Sequence, residues 1–140
     1  MPINIRLHIT ITFLFVLLLT QAISAQAQIR IEEQQQAELP LALIPSSRQK
    51  IILKTNGGLG GNTNADIVGG HAMSGHYKVY SDSDSDSNIS INILSNEDDP
   101  HIKLKSFKVV YKGVTYKNFP VVGLSSPGNG EDIHIGFTAI

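Results

Sequence analysis

Cysteine and tryptophan are both missing from this chain. Without cysteine no disulfide can staple the fold, no thiolate can act as a nucleophile, and no thiol can carry a lipid anchor. A tetrahedral zinc centre would also lack its most common ligand. Charge is scarce and balanced. The 140 residues carry 11 Lys+Arg against 12 Asp+Glu, a net charge of −1, which excludes the basic surface that nucleic-acid binding needs. Long hydrophobic runs are limited to one, Ile9 to Leu19, which falls short of the roughly 20 apolar residues that span a bilayer.

That run reads instead as a secretory signal. Arg6 and His8 precede it, and Ala22-Ile23-Ser24-Ala25-Gln26-Ala27 follows, so small residues occupy the −3 and −1 positions of a cleavage after Ala27. Residues 1–27 are expected to be a signal-peptide helix, leaving a mature chain without a membrane span. Its destination is then the periplasm, the cell surface or the exterior. A disulfide-free exported domain must rest on burial and strand pairing alone, which favours a bacterial source over an animal extracellular module.

After the leader the spacing of apolar residues is that of strands. Residues 28–38 (QIRIEEQQQAE) read as a flexible polar leader, either a helical turn or an extended arm that pairs with something else. Residues 39–140 read as one β-domain. Leu39 to Ile44 holds Pro40, and Pro45 closes it, so it is at best an edge strand. Gln49 to Thr55 is a strand, Asn56 to Asn64 a glycine-rich loop, and Asp66-Ile67-Val68 a short strand. The segment from Gly75 and the alternating Ile89, Ile91 and Ile93 give two more.

Ile102 and Leu104 share one parity while Phe107, Val109 and Tyr111 share the other, which predicts a β-bulge near Lys105-Ser106. Lys112-Gly113 then suits a two-residue hairpin loop that sets Tyr111 opposite Val114 and Val109 opposite Tyr116. Gly123 to Gly130 reads as a loop, and Ile133, Ile135 and Phe137 mark the last strand. The expectation is an antiparallel all-β sandwich of about six or seven strands.

Little in this pattern points to chemistry. Asp82, Asp84 and Asp86 have the alternation of a calcium loop. However, Ser87 stands where such a loop needs glycine and Ile93 where it needs a bidentate glutamate, so only a looser calcium site with Glu97, Asp98 or Asp99 remains. His71, His76, His101 and His134 show no metal-ligand spacing. Ser74 and Ser125 both miss the Gly-x-Ser-x-Gly elbow, so no enzyme is expected and no cofactor beyond that calcium alternative.

PLALIPSSRQKIILKTNGG, SGHYKVY, ISINI, IKLKSFKVVYKG and SPGNGEDIHIGFTAI together resemble a family of secreted Gram-negative β-sandwich domains of unknown function. That family is similar to spore-coat-U and Csu-type pilin domains. Two features depart from it: Leu41-Ala42-Leu43-Ile44 replaces the family's opening Leu-x-Phe-Gly, and the final Gly-Tyr-rich strand is absent after Gly136-Phe137-Thr138.

The resemblance implies an immunoglobulin-like sandwich lacking its last strand, and a structural or surface-assembly subunit that self-associates or joins another subunit by strand exchange. Ile29, Ile31, Leu39, Leu41 and Leu43 all fall on odd positions, as a donated strand requires, and are the partner-strand candidates. The alternative is a monomeric secreted module that binds calcium or another ligand.

Overall fold

A computed structural model describes residues 29–43, 47–82, 88–95 and 99–140. The expected signal peptide lies outside the described residues, as do Asp84, Asp86, Glu97 and Asp98. Among the described residues there is no helix, and every strand pairing is antiparallel. The described part of the chain is therefore all-β, as its alternating pattern predicts.

Ten strands follow in order: β1 (Ile29–Gln35), β2 (Leu41–Ala42), β3 (Ile51–Leu53), β4 (Ile67–Gly69), β5 (Gly75–Ser81), β6 (Ile89–Ile91), β7 (Leu104–Tyr111), β8 (Val114–Tyr116), β9 (Val121–Leu124) and β10 (Glu131–Ala139). The main sheet has the order β1-β5-β10-β7-β8. Along one edge of β10 the partner changes: β5 pairs with Glu131 to Ile135, and β3 takes over from Phe137 to Ala139. The last strand of the chain is thus a central strand of the sheet. β2–β4 and β6–β9 form separate two-stranded ribbons.

Alternation fixes which side chains face inward. In register across the sheet stand Tyr77, Ile133, Tyr111 and Val114, and beside them Gly75, Ile135, Val109 and Tyr116. The β6–β9 ribbon covers this face: Ile89, Ile91 and Val121 pack with Leu124 against Val79, Val109, Tyr111 and Ile133. Val109 and Tyr111 are essentially sealed from water. Full burial of each large apolar side chain contributes about 1.5–3 kcal/mol. Tyr111 also donates its hydroxyl to the Ser125 carbonyl at 2.7 Å, which satisfies its one buried polar group and ties the β9–β10 connection to the core.

The bulge and the hairpin sit where the sequence places them. Gly136 opposes Lys108 and Thr138 opposes Lys105, so Ser106 and Phe107 together stand against Phe137, and Ser106 adopts a φ of 53°. The extra residue reverses parity, which keeps both Leu104 and Val109 off the solvent side. Lys112 and Gly113 both have positive φ, 48° and 75°, the signature of a type I′ turn that matches the twist of its strands. Tyr111 then pairs with Val114 and Val109 with Tyr116, as expected.

Two sequence-based expectations need correction. The leader over residues 28–38 is not a loose tail: Ile29–Gln35 forms the edge strand β1, paired with β5 of the same chain. Likewise, Gly123 and Leu124, assigned to a loop, continue β9; Leu124 opposes Ile89 and is buried. With these two strands and Leu41–Ala42 counted as an edge strand, the described residues hold ten strands where six or seven were expected.

Candidate functional site

The two layers leave one flank open. Ile29 and Ile31 of β1, Ile133 and Ile135 of β10, and the run Ile89, Ile91 and Ile93 line a groove of about 570 Å³, with Tyr77 and Val79 as its floor. Ile31 is 64% exposed, although its partner across the ladder, Val79, is buried. The polar groups on the wall are Asn88, Ser90 and Asn92, and the lining includes no Asp, Glu, His, Lys or Arg. A groove of this composition can bind apolar surface; it holds no acid–base pair for catalysis. The Tyr77 hydroxyl stays protonated well into alkaline conditions, because burial and then the neighbouring Glu33 charge raise its pKa.

Strand edges border the groove. Among the described residues β1 pairs with β5 alone and β6 with β9 alone, so each presents one side without a strand partner. An edge of this kind is a template for an added strand. β1 itself is latched from the outer face of the sheet. Arg30 lies 4.4 Å above the Tyr80 ring and 3.1 Å from Glu32, and the Tyr80 hydroxyl donates to Glu32 at 3.0 Å. At the far end of β1, the Gln35 side-chain amide donates to the Ser74 carbonyl at 2.9 Å.

The same outer face brings together two histidines that sequence spacing leaves apart. His76 and His134 are direct partners across β5 and β10, and their rings stack with centroids 4.4 Å apart and planes 18° apart. Asp132, next along β10 on that face, lies 2.9 Å from His76 Nε2. That hydrogen bond to His76 is the main cause that holds the Asp132 carboxyl below its ordinary pKa.

The remaining candidates are dispersed. Ile29 and Ile31 belong to the groove wall, whereas Leu39, half-buried, follows the Glu38–Met73 bridge. Leu41 on β2 and Leu43 just after it are 68% and 56% exposed, away from the groove. The five partner-strand candidates therefore do not lie on one continuous strand of this chain. Asp82 is exposed at the end of β5. Among the described residues no group of three or more His, Cys, Asp or Glu is placed to hold a metal ion.

Ser74 is buried and Ser125 serves through its carbonyl as the acceptor for Tyr111. Ile89, Ile91, Ile93, Ile133 and Ile135 were legible in the sequence as faces of strands; that they border an uncovered groove together with Ile29 and Ile31 was not. No protein-family model, no curated protein and no solved structure matches the chain.

Proposed function

We propose that this chain is a non-enzymatic, exported structural subunit, an immunoglobulin-like, pilin-like module whose open groove is completed by a β-strand from a second subunit. The observation that carries this reading is the pairing of an isoleucine-lined groove with strand sides of β1 and β6 that have no strand partner among the described residues. An added strand would satisfy backbone groups along one of those edges while its alternate side chains cover Ile29, Ile31 and Ile91. Export follows from the basic start, apolar run and Ala25-x-Ala27 of the sequence. Among the described residues no helix is long and apolar enough to cross a membrane.

The solution mass of the chain, measured by size exclusion with light scattering, tests self-assembly. Oligomers are expected for the natural chain and monomers for Ile91→Glu, which sets a charge in the groove without touching the β1–β5 ladder. Monomers in both cases would overturn self-assembly. They would favour the second reading, a ligand-binding module, for which the groove volume lies within the usual range of ligand sites.

A further inference from the structure

We infer that the cavity between the β2–β4 ribbon and the end of the main sheet binds a single-chain amphiphile with an anionic head group, of the fatty-acid class. Its volume is about 750 Å³, inside the range of small-molecule sites. On the sheet side, two backbone hydrogen bonds between Lys103 and Ile140, at 2.9 and 3.0 Å, carry the β7–β10 pairing past its last strand partners. Ile51 opposite Ala139 brings β3 to the same end. On the ribbon side, the Leu43 amide donates to the Asp66 carbonyl at 3.0 Å and so ties the chain after β2 to the start of β4.

The lining divides by polarity. Pro40 and Ala139 are buried and Leu39 and Ile51 half-buried, so the wall is aliphatic at depth. Leu43 and Ile102 continue it outward, 56% and 43% exposed. Arg48, Lys103 and Lys105 are exposed and add fixed positive charge at the mouth. Among the described residues no ion pair engages any of the three. Asp99 is the one acidic side chain of the lining, and its carboxylate already accepts the His101 backbone N–H at 2.8 Å. Even with the α-carboxylate of Ile140 counted, these cations outnumber the anions three to two.

That division selects the ligand. An aliphatic wall gains from each methylene it removes from water, but it gives a chain no direction. Direction comes from the mouth, where a carboxylate meets three cations and where a guanidinium such as that of Arg48 can hold both of its oxygens. A neutral head group forgoes this attraction, and a cationic one is repelled. The cavity shares no lining residue with the isoleucine groove, so the site stands whether or not a strand fills that groove.

The test titrates the full chain by calorimetry with decanoate, octanoate and decyltrimethylammonium, each below its micelle-forming concentration. One equivalent of decanoate is expected. Octanoate, two methylenes shorter, should bind about tenfold more weakly. Decyltrimethylammonium should bind at least about tenfold more weakly than decanoate, the loss of a charged hydrogen bond. The triple variant Arg48→Gln/Lys103→Gln/Lys105→Gln changes exposed residues alone, and in it decanoate should lose its advantage over the ammonium.

A readout on the natural chain needs no substitution: decanoate should shift the methyl signals of Leu43, Ile51 and Ile102 before those of Ile31 and Ile91. Equal affinity of the natural chain for decanoate and decyltrimethylammonium, or no saturable binding of decanoate, would overturn the site. So would shifts that begin at Ile31 or Ile91, which would place the amphiphile in the groove instead.

Discussion

Gly136 is the position at which one added methyl group should do the most harm. It sits in β10 where the neighbouring strand changes from β5 to β3, and a Cβ there would lie 2.5 Å from the Leu53 carbonyl oxygen, 2.8 Å from the Thr55 nitrogen and 2.9 Å from the Lys54 carbonyl carbon. All three are backbone atoms, so no side chain can swing aside. The change must instead push β3 away from β10. That strand is held by three cross-strand pairs, from Phe137–Leu53 to Ala139–Ile51, and it delivers Leu53, 1% exposed, to the interior.

Forcing a methylene into a filled site costs about 1–3 kcal/mol, and contacts this short with unyielding atoms place Gly136→Ala at the upper end. Loss of glycine's freedom in the unfolded chain returns about 0.4–1 kcal/mol, which leaves a net destabilisation of about 2 kcal/mol. Urea unfolding should therefore show a lower midpoint with an unchanged slope. Gly61, exposed and with nothing within 4 Å of its ideal Cβ, is the control, and Gly61→Ala should stay within about 0.5 kcal/mol. A Gly136→Ala midpoint equal to that of the control would refute the close approach of β3 to β10.

Three further perturbations follow from the same structure. Tyr111→Phe removes the donor to the Ser125 carbonyl; because Ser125 is exposed and its oxygen can regain water, the cost should be only about 1 kcal/mol, again read from the urea midpoint. Ser106→Gly should stabilise by about 0.5–1 kcal/mol, since the bulge holds Ser106 at a φ of 53°, where a side chain is strained; a lower midpoint would argue against that geometry. Asp132→Asn addresses pH. The folded-state pKa of Asp132 lies below its ordinary 3.8, so its contribution is full above that value and is lost as pH falls through the folded one. The variant should flatten the stability profile only below about pH 4, and an acid limb identical to the natural chain's would contradict the His76–Asp132 contact.

What the sequence could disclose was set by how local each signal is. The bulge was readable because Leu104 and Val109 declare opposite parity within a few residues, and the hairpin because Lys112-Gly113 sits between two alternating runs. β1 was not readable. Its inner face is only partly covered, so Ile29 and Ile31 are its sole large apolar residues, and the Glu and Gln around them look like a tail. β9 was hidden by Gly123, a residue whose usual place is a loop, although Leu124 beyond it is buried in the core.

Alternation assigns a residue to a face; it does not name its neighbour. His76 and His134 each looked like an isolated polar residue on a strand, and only the pairing of β5 with β10, through partners more than fifty positions apart in the chain, sets their rings together. The groove has the same origin. Ile89, Ile91, Ile93, Ile133 and Ile135 were recognisable by their alternation and Ile29 and Ile31 were not, and whether an inward face is covered depends on which strands run beside it. Here β6 is joined only to β9 among the described residues, so a set of side chains patterned for a core remains open on one flank. Both the groove and the histidine pair are thus properties of strand order, which depends on closing long loops and leaves no short-range mark in the sequence.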